Sequence, residues 1–445
     1  MAISASAVWE VRNTGSDSNG GFYASGGTDY SQQDSPQLSL TDVVTNGTTT
    51  VTSATGGFTA AMIGNGINIA GSIYQITARA SSTSITIDRN ATSGTGQTGK
   101  VGGACATIGK VSALMVLGNI CWIKAGSGYS ISSNLTYAYS GGELSPSAPY
   151  TRFFGYGSTR GDGTRAVITL QTGATAGFAT TPSNTWIRWI EVDCNNIASS
   201  TGISIGQFSY VSNCKIYNHK VTGITGQAII ESNEVGASTS TGDGITSANL
   251  GQIRLNYIHD CAGIGISAFS ASVNISQNII ANVGGVGIRC AQQGSVVSNT
   301  VYASGSHGIS ANSTLDSTII KNNLIVSCGG AGLRFDGTLI NTSAWEGNAF
   351  YNNSGGNRDS STGTSSIASP DVLLTGSPFT NAAAGDYSLN NTAGAGAACR
   401  GAGVPGSFAG GTTRSYTDFG AVQHQDAGGG GGGVVRVGFN GGFGG

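Results

Sequence analysis

Four residues of this 445-residue chain stand where acid–base chemistry could be done: Asp243, His259, Asp260 and His307. Cleaving a bond between two sugars, or any similar hydrolysis, takes a pair of such groups. One donates a proton to the leaving group while the other activates water. His259 and Asp260 are adjacent and form the best local pair. Asp243-Gly244-Ile245 and Ser306-His307-Gly308 form a second couple, distant in sequence, which works only if the fold brings its members together. Asp193, Asp260 and Asp336 stand singly, so no oxygen-rich calcium cluster is expected. The eight cysteines, at 105, 121, 194, 214, 261, 290, 328 and 399, show no CxxC spacing, and no histidine stands at zinc-site spacing. No metal or cofactor is therefore expected. Most cysteines sit beside apolar strand residues, as in Cys121-Trp122-Ile123, and read as buried free thiols behaving as small hydrophobes. The plainer reading of all four acid–base candidates is a polar turn residue, and the balance falls against catalysis.

What would position these residues is a repeat. From about residue 186 to 353 a glycine precedes an isoleucine or leucine at Ile203, Ile224, Ile245, Ile266, Ile288, Ile309 and Leu333, with separations of 21, 21, 21, 22, 21 and 24 residues. In step with it runs Asn-x-apolar, beginning at Asn233, Asn256, Asn278, Asn299, Asn323 and Asn348. A shared period of this length marks a stacked-repeat architecture. Leucine-rich repeats need more leucines per turn, and no apolar run at the 3.6-residue helical period reaches ten residues. Short alternating runs such as Ile253 to Ile258 read as strands. The fold class expected is all-β, a parallel β-helix solenoid. Each coil lies on the next at about 4.8 Å, so identical positions stack. Isoleucine and valine then form an inward column, and glycine allows a tight or left-handed bend. The six asparagines form a structural ladder rather than a binding site. In that geometry Asp243 and His307 lie three coils, about 14 Å, apart.

The flanks differ. Residues 1–37 are polar and glycine-rich and read as a cap or attachment segment. Residues 38–107 carry regular strands without the coil period and read as a small β subdomain. The β-helix is expected over 108–425, closing with strands near Tyr387-Ser388-Leu389 and Asp418 to Gln423. A glycine-rich tail, 426–445, follows. Only 9% of residues are charged, 38% are hydrophobic and glycine numbers 73, which suits an ordered, heavily turned β chain rather than a disordered one. The net charge of −2 carries no basic stripe, so nucleic acid is not an expected partner. No apolar run approaches a membrane span, and the start Met1-Ala2-Ile3-Ser4-Ala5 lacks the pattern of a secretory signal.

Three segments together resemble right-handed parallel β-helix proteins of the pectin-lyase-like superfamily, in particular those of bacteriophages. They are the strand module from Phe58 to Ala104, the stretches Trp122 to Gly126 and Phe154 to Asp162, and Asp418-Phe419-Gly420-Ala421-Val422-Gln423-His424, which resembles a closing strand. The resemblance covers about residues 38–425. It implies a structural or adhesive virion protein (a spike, fibre or capsid decoration) made in the host cytoplasm. Expected partners are other virion proteins, further copies of itself in a homo-oligomer such as a trimer, and a host surface glycan. The alternatives are a polysaccharide lyase or glycoside hydrolase, or a bacterial surface adhesin placed outside the cell. Polygalacturonases of this fold use clustered aspartates, a Gly-His-Gly and an Arg-x-Lys. Here Asp243 and Ser306-His307-Gly308 resemble two elements, but the coil after Asp243 reads Gly263-Ile264-Gly265 and no Arg-x-Lys follows. The pattern is broken. Trp186, Trp189, Tyr210, Tyr217 and Tyr257 fall on coils and offer ring faces on which sugars stack.

Overall fold

The computed structural model describes residues 3–136, 147–179, 183–247, 251–268, 272–290, 294–312, 318–336, 344–360, 371–403 and 417–423. Its chain divides into two compact units, residues 1–197 with 202–215, and residues 198–201 with 216–445. Each is taken by itself.

The second unit is a parallel β-helix of about seven coils, the first running through Thr222–Glu231 and Glu234–Gly236 and the last through Arg358–Ser360 and Val372–Leu373. A typical coil has three short strands, such as Asp243–Ser247, Gly251–Arg254 and Tyr257–His259. Their register stacks three inward columns. One runs Ile224, Ile245, Ile266, Ile288, Ile309, Leu333. The second runs Ile230, Ile253, Ile275, Val296, Ile320. The third runs Val235, Ile258, Ile280, Val301, Ile325, Phe350. All are buried, and together they form an apolar core that grows along one axis.

The bends work differently from the expectation. Gly223, Gly244, Gly265, Gly287, Gly308 and Gly332 are not in the left-handed region. They are glycine for want of space: a Cβ on Gly244 would lie 2.4 Å from Ile258 Cγ2, and one on Gly265 would lie 2.5 Å from Ile280 Cγ2. Left-handed backbone falls instead on the residue before each ladder asparagine, at Ser232, Leu255, Gln277, Ser298, Asn322 and Gly347. Only one of these is a glycine. Side chains there are held in an unfavourable conformation by the coil stacked on either side.

The last part of this unit turns back along the outside. Phe379–Asn381 pairs antiparallel with Asp386–Leu389. Leu374, Phe379, Tyr387, Leu389, Cys399, Phe419 and Ala421 pack with Tyr257, Ile279, Ala281, Leu324, Val326 and Ala349. The expected closing strand at Asp418 to Gln423 is therefore corrected. These residues form turns, with the Gly420 N–H donating to Asn322 O at 2.8 Å and the Ala421 N–H to Thr300 Oγ1 at 2.9 Å. The reason is the outer face of the third sheet, which is itself apolar and is covered by this segment. His424 and the tail 426–445 lie outside the described residues.

In the first unit, six strands between Leu38 and Val101 close an antiparallel barrel around Val43, Val51, Ile67, Ile76, Ile85 and Val101. Alternation builds it: Thr50–Ser53 buries every second side chain. The barrel is an insertion. Val8–Val11, in the stretch read as a cap, pairs in parallel with Ile120–Lys124, so the first coil strand precedes the barrel. Ile108–Ser112, where the coil was expected to begin, is a helical turn whose first residues are capped by the Thr107 side chain. From Ile120 the coil sheet continues through Thr151–Tyr156 and Thr185–Arg188 to Tyr210, Val211 and Ser212, all parallel.

Candidate functional site

The structure separates the acid–base candidates. Asp243 is half-buried, and its Oδ1 accepts the Ile264 N–H at 2.8 Å, one coil on. Burial pushes its carboxyl up, opposed by that hydrogen bond and by the charge of Arg289. His307 Nδ1 accepts the Ala331 N–H at 3.0 Å and braces a turn. Successive pairings place it three coils from Asp243, too far to share a substrate bond. His259 and Asp260 do meet, Nδ1 to Oδ2, at 2.7 Å, and Glu234 Oε1 lies 3.6 Å from the other ring nitrogen. Burial works to lower the His259 pKa, but the two carboxylates outweigh it and hold the ring toward its charged form. Its ring stacks on Tyr257 at 4.4 Å, and Tyr257 is packed against Tyr387. This is a charged brace beneath the returning C-terminal segment. Asp193 is half-buried and caps its own turn through Asn195 N; the Asp336 side chain lies outside the described residues. Among the described residues no group of three or more His, Cys, Asp or Glu could hold a metal ion.

The asparagines make a continuous ladder. Each of Asn256, Asn278, Asn299 and Asn323 donates its side-chain N–H and its backbone N–H to the Oδ1 of the next, Asn278, Asn299, Asn323 and Asn348, at 2.9–3.0 Å. Asn233 does the same to Asn256. All six are buried, so the ladder offers nothing to a ligand. The eight cysteines are free and buried, and burial pushes their thiols up, to about 12 for Cys290.

The surface that does offer something is aromatic, and it lies on the first unit. Trp122, Phe154, Trp186 and Tyr210 climb the outside of successive coil strands with ring centroids 5.2, 5.1 and 5.3 Å apart, each pair edge to face. Tyr150 and Trp189 flank the column at 6.4 Å from Trp186 and 6.0 Å from Phe154. Phe154 is buried between neighbours, whereas Trp122, Trp186, Trp189 and Tyr210 stay partly exposed. Strand alternation explains the placement: Cys121, Phe153, Ile187 and Val211 point inward, so the residues on either side of them point out. Trp186, Trp189 and Tyr210 stand out in the sequence as coil aromatics. Trp122 and Phe154 do not, because the 32 residues between them do not match the 21- to 22-residue spacing of most later coils. Tyr257 belongs to the other unit and is covered. Tyr217 is half-buried in that unit.

Residues 201–355 match the family model described as "Right handed beta helix region". With the parallel register above, the chain is a right-handed parallel β-helix. Solved structures similar to it include the pectate lyase Pel9A (14% identity, 72% of this chain and 92% of that chain, TM-score 0.45). The periplasmic alginate epimerase AlgG is similar over 58% of this chain and 76% of that chain, with 13% identity and a TM-score of 0.32. The catalytic unit of a thermostable GH87 alpha-1,3-glucanase from Streptomyces thermodiastaticus is similar over 76% of this chain and 88% of that chain, with 11% identity and a TM-score of 0.30. No curated protein matches the chain.

Proposed function

We propose that this right-handed parallel β-helix is an adhesive structural protein that holds a glycan on its outer aromatic face, and that it serves as a part of a bacteriophage particle. The observation that carries the adhesive reading is the column Trp122–Phe154–Trp186–Tyr210. Aromatic faces bind the apolar faces of sugars and lose little conformational entropy in doing so, because the rings are already held. A coil whose strands are locked in register is a rigid base for such a platform. Against catalysis stands the dispersal of Asp243, His259 with Asp260, and His307. Assembly in a particle, with copies of itself as neighbours, agrees with the scarcity of charge on the chain.

One observation favours polysaccharide cleavage as a second reading. Asp243 is a half-buried carboxyl pushed toward its protonated form, as a general acid must be. The test is to incubate the protein with bacterial capsule and exopolysaccharide, with and without calcium, and to measure binding, new reducing ends and unsaturated uronate absorbance together. Retention on the glycan without product is the expected result. Product formation that disappears in Asp243→Asn would replace the adhesive reading with the enzymatic one. Presence of the chain in purified virions separates the phage part from a bacterial surface adhesin.

A further inference from the structure

We infer that the glycan taken by the aromatic face is an extended, ribbon-like chain, its sugars joined through equatorial bonds as in cellulose, and that it lies along the axis of the coils. This rests on the adhesive reading and adds the shape and the length of the ligand.

The spacing of the rings carries the inference. Trp122 and Phe154 are direct neighbours in one outward row. Trp186 and Tyr210 are direct neighbours in the next row, two residues away along the strands. The side chains lean together across that offset, because the centroid steps are only 5.2, 5.1 and 5.3 Å. Each step is barely longer than the spacing of about 4.8 Å between stacked strands, so almost all of it is advance along the solenoid axis. The rings therefore stand in a nearly straight line, one to a coil, about 14 Å long over three strand spacings. A ligand that follows this line has to advance by about one ring length per sugar without turning aside. A pyranose chain whose linkages are all equatorial does so, and it shows flat apolar C–H faces to its sides. A chain with an axial linkage at every sugar, as in amylose, coils and carries successive sugars off the line.

Two further features point the same way. The ends of the line do the holding. Phe154 is 8% exposed, closed in by its neighbours, whereas Trp122 at one end and Trp186 and Tyr210 at the other stay partly exposed. Trp122 and Trp186 are two coils apart, about 10 Å along the axis. A single sugar reaches one end only, and at about one sugar per coil a chain of about four reaches both. The line is also fixed. The strands beneath it pair residue by residue, Trp186 meets both Phe154 and Tyr210 edge to face at 85° and 82°, and Trp186 Nε1 donates to Ser212 Oγ at 3.4 Å. Rings that cannot change their spacing select a chain by its shape.

The test uses the full chain and two series of glucose oligosaccharides, from the disaccharide to the hexasaccharide, one joined as in cellulose and the other as in amylose. The two series differ in linkage alone. The expected result is that cellohexaose binds at least tenfold tighter than maltohexaose. Within the cellulose series affinity should rise at least tenfold from the disaccharide to the tetrasaccharide and then level off. Trp122→Ala should weaken cellohexaose at least fivefold and leave the disaccharide, seated on Trp186 and Tyr210, as before. Trp186→Ala should weaken both. Equal binding of the two hexasaccharides, a preference for maltohexaose, or retention of whole capsule for which cellohexaose does not compete would overturn the inference and leave the adhesive reading standing. No binding to either series or to whole capsule would remove both. The linkage comparison on the unaltered protein decides the matter even if a tryptophan variant fails to fold.

Discussion

Replacing Asn278 by leucine tests the idea that the coil is held by its buried amide ladder. The Asn278 side chain makes five hydrogen bonds. Its Oδ1 accepts the Asn256 backbone N–H at 3.0 Å and the Asn256 amide at 2.9 Å. Its amide donates to Ile253 O at 2.8 Å, Ser276 O at 3.0 Å and Asn299 Oδ1 at 3.0 Å. Leucine removes all five, but the losses are unequal. The Asn256 amide keeps Ile230 O and Arg254 O, and Asn299 Oδ1 keeps the Asn278 N–H. The Asn256 N–H keeps no acceptor among the described residues, and a buried backbone donor without a partner costs about 1–3 kcal/mol. Fitting a branched apolar side chain into a slot of zero exposure adds about 1–3 kcal/mol. The sum expected is about 4 kcal/mol. Asn274→Leu, four residues earlier on an exposed position whose Oδ1 accepts from Ser295 Oγ, is the control and should stay within about 0.5 kcal/mol. Stacked coils need not unfold in one step, so amide hydrogen exchange of the central coils is read alongside urea unfolding. Equal effects of Asn278→Leu and Asn274→Leu on exchange would refute the argument.

Burial lowers the His219 pKa from 6.5 to about 4, against the pull of its hydrogen bond to Asp243 O. The unfolded chain therefore takes up the proton first. The neutral, buried form contributes about 3 kcal/mol that is fully present above about pH 6.5 and lost as pH falls toward 4; an acid limb unchanged in His219→Gln would contradict this. Gly265→Ala should destabilise the coil by about 3 kcal/mol, because the new Cβ meets Gly287 O and Ile280 Cγ2 at 2.5 Å, and urea unfolding reads it directly. Leu255→Asn should stabilise by about 0.5–1 kcal/mol, since asparagine tolerates the φ of +57 better than leucine; a fall in stability would show that the leucine's packing outweighs its strain.

The coil, its period and the direction of its apolar residues were readable from the sequence because every coil repeats the same contacts with its neighbours. Ile245, Ile266 and Ile288 have to stack if the spacing holds, and Asn256, Asn278 and Asn299 have to follow them. The same arithmetic sets His307 three coils from Asp243. The structure alone decided what the repeat does not encode. It moved left-handed backbone from the glycines to residues such as Leu255, because the glycine slots are short of space rather than of conformational freedom. It placed Val8–Val11 ahead of the barrel, a pairing across more than a hundred residues that no local pattern announces. It turned the C-terminal segment back along an apolar outer face instead of onward as a closing strand. The aromatic face was hidden for the same reason. Trp122, Phe154, Trp186 and Tyr210 are spaced 32, 32 and 24 residues apart, off the period of the coils that follow, and only when their strands pair do the rings come together in two adjacent outward rows.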